Sequence, residues 1–75
     1  MKTMAELLPG EHAVIKFIDN KEIALKLMEM GCIPGEIIEV IRIAPLGDPI
    51  AISISGYMLG LRKAEASTVN VRIQE

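Results

Sequence analysis

Turn-forming residues punctuate this sequence at Pro9-Gly10, Gly31, Pro34-Gly35, Ala44-Pro45-Leu46-Gly47 and Gly56-Tyr57. Pro fixes one backbone angle and Gly accepts the positive φ that many turn positions demand, so each site stops a helix or strand before it grows long. What lies between them is a set of short segments, and the spacing of apolar residues decides which are strands and which is a helix.

His12 to Ile18 alternates, with Ala13, Ile15 and Phe17 on one face and His12, Val14 and Lys16 on the other, which predicts a strand. The period then changes: Asp19, with Glu22 three residues on, has the spacing of a capping box. Ile23, Leu27 and Met30 recur at helical spacing, flanked by Ala24 and Met28, and Gly31 ends the helix they predict. Glu36 to Ala44 is rich in Ile and Val with neither face cleanly apolar, as in a strand that bends. Ala44 to Gly47 fits a turn with Pro second and Gly fourth, and Asp48-Pro49 re-enters extended structure. Ile50, Ile52 and Ile54 alternate with Ala51, Ser53 and Ser55 in the clearest strand pattern of the chain. Met58 to Leu61 gives a further short strand, Arg62 to Ser67 one helical turn, and Thr68 to Gln74 a last strand with Val69, Val71 and Ile73 inward.

The expected architecture is mainly β: about five strands and one α-helix after the first strand, in one domain over residues 1–75. A chain of 75 residues cannot hold two cores, and folding at this size removes only roughly 60% of the unfolded surface from water. Aromatic residues make up 3%, with one Phe, one Tyr and no Trp, so the core is built from Ile, Leu, Val, Ala and Met. A platform for stacking nucleic-acid bases is absent. Five strands laid flat would leave two exposed edges. Curling into a small SH3-like barrel, with the Ile23, Leu27 and Met30 stripe plugging one end, is the expected remedy.

Charge and cysteine content narrow the partners. Eight Lys and Arg against ten Asp and Glu give a net charge of -2, which offers nucleic acid no electrostatic attraction. The lone Cys32 forms no intramolecular disulfide, so a reducing cytoplasm is the default compartment. The opening residues lack the apolar stretch of a signal peptide, and the longest uncharged run, Pro49 to Leu61, is too short to span a bilayer. Membrane association is therefore expected only through a protein partner.

Leu27 with Met30-Gly31, then Pro34-Gly35, then Val40 with Arg42-Ile43-Ala44-Pro45-Leu46-Gly47-Asp48-Pro49-Ile50, and finally Leu59 with Leu61-Arg62-Lys63 together resemble the FeoA family of ferrous-iron transport systems. The resemblance spans nearly the whole chain. It implies an SH3-like barrel acting as a cytoplasmic accessory of the FeoB-type membrane permease, a protein with a GTPase domain. The accessory would bind that permease and modulate its assembly or its GTPase and transport activity. Similar barrels form the C-terminal module of diphtheria-toxin-repressor-type regulators. No helix-turn-helix or metal-sensing domain is expected ahead of the barrel, and a stand-alone partner is the expected form.

Catalytic chemistry is not expected. His12 and Cys32 are the only candidates for a base and a thiol nucleophile, and they fall on different elements. Gly56 and Gly60 are not followed by the Lys-Ser or Lys-Thr of a phosphate-binding loop. No cofactor is expected, and no metal ligand is assigned, because one His, one Cys and scattered carboxylates fall short of a structural site. A weak site for ferrous iron or another divalent ion, shared between chains and using His12 or Cys32 with a carboxylate, stays open. It would make the protein a metal-responsive module, the competing reading.

Three groups of residues are the candidates for partner binding. Pro45, Leu46, Gly47, Asp48 and Pro49 form a stiff loop whose Leu46 either serves recognition or folds back onto the core. Leu25, Lys26 and Glu29 lie on the helix face opposite the apolar stripe, and Arg62-Lys63 follow a strand. Exposed strand edges leave self-association open.

Overall fold

The computed structural model describes residues 2–74. Its strands are β1 (Lys2–Thr3), β2 (His12–Ile18), β3 (Ile37–Ile43), β4 (Ile50–Ile54), β5 (Tyr57–Leu61) and β6 (Val69–Ile73). Helix α1 (Lys21–Glu29) follows β2, and α2 (Lys63–Ala66) links β5 to β6. The six strands pair antiparallel in the order β1-β6-β2-β3-β4-β5.

Two corrections to the expected architecture come from the ends of that order. A sixth strand exists because Lys2 and Thr3 pair with Val71 and Asn70 of β6. The strand pairing also does not close into a ring: β1 and β5 are its two ends. β1 is only two residues long, and among the described residues β5 is paired to β4 alone and no ladder joins the two ends. The sheet nevertheless curls. Its extents of 28 × 26 × 24 Å are nearly equal, which a flat single layer of strands would not give.

Two β-bulges interrupt the ladders, and bulged strands bend. Between Ile15 and Phe17 the pairing of β2 with β6 shifts, so Lys16 is an extra residue, and between Val40 and Arg42 the pairing of β3 with β4 shifts at Ile41. An extra residue reverses the inside–outside alternation that follows it. Phe17, expected inside, is therefore 48% exposed, while Ile18 packs against the core. The same slip explains why neither face of β3 reads as cleanly apolar.

The core is aliphatic. Ile15, Ile38, Val40, Ile50, Ile52, Ile54, Leu61, Val69 and Val71 are buried from the strands, and Leu27 enters from α1 with Ile23 and Met30 partly buried beside it. Sequence alternation left the N-terminal segment unassigned, yet a 3-10 turn at Met4–Glu6 buries Met4, and Leu7 follows it into the core. Thr3-Met4-Ala5-Glu6 carries the capping-box spacing, and Glu6 Oε1 accepts a hydrogen bond from Thr3 N at 2.8 Å.

Helix α1 begins one residue later than its capping-box signal implies. Asn20, not Asp19, is the N-cap, its Oδ1 accepting from Ile23 N at 3.0 Å. Asp19, just past the end of β2, instead donates its N–H to Thr68 O at 2.7 Å. The C-terminus follows the Schellman pattern. Gly31, at φ +100°, donates to Met28 O at 3.1 Å and Cys32 donates to Leu27 O at 2.9 Å, with Cys32 and Leu27 both buried.

Candidate functional site

The residues singled out for partner binding converge on the short helix α2. Register explains one half of this. Because Ile50 pairs with Leu61, the residues before β4 run beside those after β5, and Lys63 N donates to Asp48 Oδ1 at 3.0 Å. The Lys63 ammonium lies beside the bare Cα of Gly47, 4.0 Å from where a Cβ would stand. The Pro45–Pro49 loop and the Arg62-Lys63 pair are thus one surface rather than two.

The other half comes from α1. Lys26 Nζ donates to Glu65 Oε2, joining α1 to α2 across 39 residues of sequence. Glu65 Oε1 accepts from Arg62 N at 2.9 Å, so one carboxylate both closes the first turn of α2 and holds α1 against it. Leu25 and Glu29 flank Lys26 on the helix and remain exposed. Glu65 was not among the expected site residues; its only sequence signal is its place three residues after Arg62.

The Lys26 ammonium first, and the Arg62 N–H second, hold the Glu65 carboxyl below its ordinary value of 4.5. A carboxyl depressed on folding contributes stability that is fully present above its unfolded value and is lost as pH falls through its folded one. Glu65→Gln is expected to lower the urea midpoint at neutral pH and to flatten its fall in acid, so the two proteins converge once the pH has fallen below the folded-state value of the Glu65 carboxyl. Parallel urea-midpoint curves for the two proteins across that range would contradict this account.

The loop itself is pinned. Gly47 N donates to Ala44 O at 2.7 Å, Ala44 N donates to Pro49 O at 3.1 Å, and Gly47 takes a φ of +87°. Of the two readings of Leu46, the structure takes the outward one: the side chain is 95% exposed at the tip. Where the end of the loop meets the end of β5, a cleft of about 350 Å³ is lined by Asp48, Pro49, Gly60, Leu61 and Arg62. Gly60 contributes by having no side chain, which only the β4–β5 register reveals.

His12 and Cys32 do not meet. His12 faces outward on β2, with Nε2 3.4 Å from Glu39 Oε1 on β3, whereas Cys32 is fully buried behind α1. Burial pushes the Cys32 thiol up, away from the reactive thiolate. Among the described residues no three His, Cys, Asp or Glu side chains gather as a metal-binding group. Among the described residues, His12 and Glu39 are an imidazole and a carboxylate placed side by side.

Comparison with known proteins decides the family. The FeoA domain family matches residues 2–73. The chain belongs to the FeoA family. A Porphyromonas gingivalis Fe(2+) transport protein A/Fe(2+) transporter FeoB fusion protein is 34% identical over 71 residues. That match covers 93% of this chain and 8% of the fusion protein, so the chain spans a small part of that relative's length. The NMR structure of a FeoA-like protein from Clostridium acetobutylicum superposes with a TM-score of 0.92 at 32% identity, covering 99% of this chain and 87% of that one. Stenotrophomonas maltophilia FeoA complexed with zinc, described as a procaryotic SH3 domain protein, gives 0.81 at 29% identity, covering 95% and 89%. T. acidophilum IdeR gives 0.84 at 23% identity, covering 96% of this chain and 33% of that one, and shares the fold alone. The fold of this FeoA-family chain is therefore mainly β and SH3-like, in a family associated with ferrous-iron transport.

Proposed function

We propose that this FeoA-family chain is an accessory module of a ferrous-iron uptake system, docking on a FeoB-type permease from the cytoplasmic side and modulating its assembly or its GTPase and transport cycle. The observation that carries this reading is the P. gingivalis relative, in which Fe(2+) transport protein A and the FeoB transporter are one chain. Fusion holds two modules at an effective concentration on the order of millimolar, which benefits pairs that work in contact. No helix among the described residues is long and apolar enough to cross a membrane, so the membrane is reached through the permease.

The docking surface is the one gathered around α2: the Leu46 tip, the Pro45–Pro49 loop, Lys63 and Arg62, and the Leu25, Lys26 and Glu29 face of α1. An apolar tip held by hydrogen bonds and two prolines loses little freedom on binding, while the flanking cations steer an acidic surface toward it. No step of catalysis is assigned to this chain; nucleotide hydrolysis belongs to the permease.

A second reading, a metal-responsive module, is favoured by the His12–Glu39 pair, an imidazole and a carboxylate side by side on the outer face of the sheet. One titration separates the two: purified chain against the isolated GTPase domain and then against the full-length permease, with and without ferrous iron. Saturable binding that does not depend on iron is expected, with a changed rate of GTP hydrolysis fixing the sign of the modulation. Binding seen only with iron would replace the first reading by the second, and no binding to either partner would overturn the accessory reading.

A further inference from the structure

β5 ends the sheet, and among the described residues its outer edge is unpaired. The Ser55-Gly56 turn, with φ of +51° and +85°, joins Ile54 to Tyr57 as the first hydrogen-bonded pair of a two-residue hairpin. Hydrogen-bonded positions alternate along an antiparallel ladder, so Tyr57, Leu59 and Leu61 turn their N–H and C=O groups toward β4. Those of Met58 and Gly60 turn to the free edge, and among the described residues no other main-chain hydrogen bond reaches them.

Natural edge strands are blunted by charge, Pro, bulges or shortness. β1 is short and carries Lys2, but Tyr57-Met58-Leu59-Gly60-Leu61 has no charge, no Pro and an unbroken register with β4. The edge is also complementary to itself. Met58 is 59% exposed on the outer face, and two residues on the same face is bare at Gly60, where an added Cβ would meet nothing within 4 Å.

We propose that two copies of this chain pair β5 with β5, antiparallel about a two-fold axis at Leu59, so that Met58 of each lies over the bare Gly60 of the other. The geometry closes. Each Met58–Gly60 pair exchanges two main-chain hydrogen bonds, using the groups that face the edge, and Tyr57 of each copy falls opposite Leu61 of the partner subunit. The nearest charges, Arg62 and Lys63, fall opposite Gly56 of the partner subunit and Ser55 of the partner subunit, so no like charges confront each other. The pairing is isologous and ends at the dimer, since it uses both free β5 edges. It is independent of the permease reading.

Sedimentation equilibrium of the full chain from micromolar to about 1 mM is expected to show the mass double, because a short edge pairing gives modest affinity. Met58→Lys and Gly60→Lys are each expected to hold the chain monomeric with unchanged circular dichroism. The double variant M58K/G60E is expected to restore the dimer, because Lys and Glu then face each other twice in this register. In the wild-type protein, amide exchange at Met58 and Gly60 is expected to slow at least tenfold between dilute and concentrated samples. A wild-type chain that stays monomeric throughout, a dimer that survives both single substitutions, or a double variant that stays monomeric would overturn the proposal. So would protection of those two amides only when the GTPase domain of the permease is added, which would give the edge to that partner.

Discussion

Gly31→Ala is expected to cost about 2–4 kcal/mol of stability, a drop in Tm of the order of 10–25 °C for a domain of this size. Two independent constraints meet at this residue. Its φ of +100° lies where an L side chain is strained, and that conformation is what lets Gly31 and Cys32 close the C-terminus of α1. The second constraint is space. A Cβ on Gly31 would stand 2.0 Å from Tyr57 Oη, and Tyr57 Oη donates to Met30 O at 2.6 Å, so the ring is anchored where the methyl would go. Moving the ring abandons that hydrogen bond and uncovers a helix-terminal carbonyl, about 1 kcal/mol or more beyond the strain.

The two constraints are separable. Gly35 has nearly the same φ, +98°, but open space around its Cα, so Gly35→Ala is expected to cost only the strain, about 1–2 kcal/mol. Tyr57→Phe removes the atom at 2.0 Å and leaves the ring carbon at 3.3 Å, a contact that a small shift relieves. Adding Gly31→Ala to Tyr57→Phe should therefore cost less than adding it to the wild type, by about 1 kcal/mol of coupling in a double-mutant cycle. Strict additivity of the two urea-derived stabilities would show that the tyrosine contact carries none of the cost.

What was legible in the sequence was what depends on neighbours along the chain. Alternation placed β4 and β6, helical spacing placed Leu27 in the core, and Gly31 marked the end of α1. What was not legible depends on a cross-strand partner. Phe17 reads as an inward residue until Lys16 is seen to be the extra residue opposite β6, and nothing local in His12–Ile18 announces that bulge. Asp19 and Asn20 are both good caps, and the choice between them was made by Thr68, whose carbonyl claims the Asp19 N–H. The open ends of the sheet likewise depend on β1, too short for alternation to register. The site divides the same way. Leu46, Lys63 and Lys26 were each identifiable as exposed polar or apolar candidates, but their gathering around α2 needs the β4–β5 register and an ion pair between residues 39 apart.

Leu46→Asp is expected to weaken binding to the full-length permease by at least about 30-fold, the 2 kcal/mol typical of a central interface residue, while leaving the melting temperature unchanged. Stability is spared because the side chain, 95% exposed, has no core contacts to lose. Binding suffers because the tip is already fixed in shape by the Gly47–Ala44 and Ala44–Pro49 hydrogen bonds and by the Asp48 bond to Lys63 N, so docking gains apolar burial with little ordering to oppose it. An aspartate there brings a charge whose burial no residue of this loop offsets, since Pro45 to Pro49 carry no cation and the Lys63 ammonium lies beside Gly47. The loss should appear in the dissociation rate and persist at high salt, whereas Lys63→Ala should act mainly on the association rate and fade as salt rises. A folded Leu46→Asp chain that binds as tightly as the wild type would remove the loop from the docking surface and leave α1, with Leu25, Lys26 and Glu29, as the face that meets the permease.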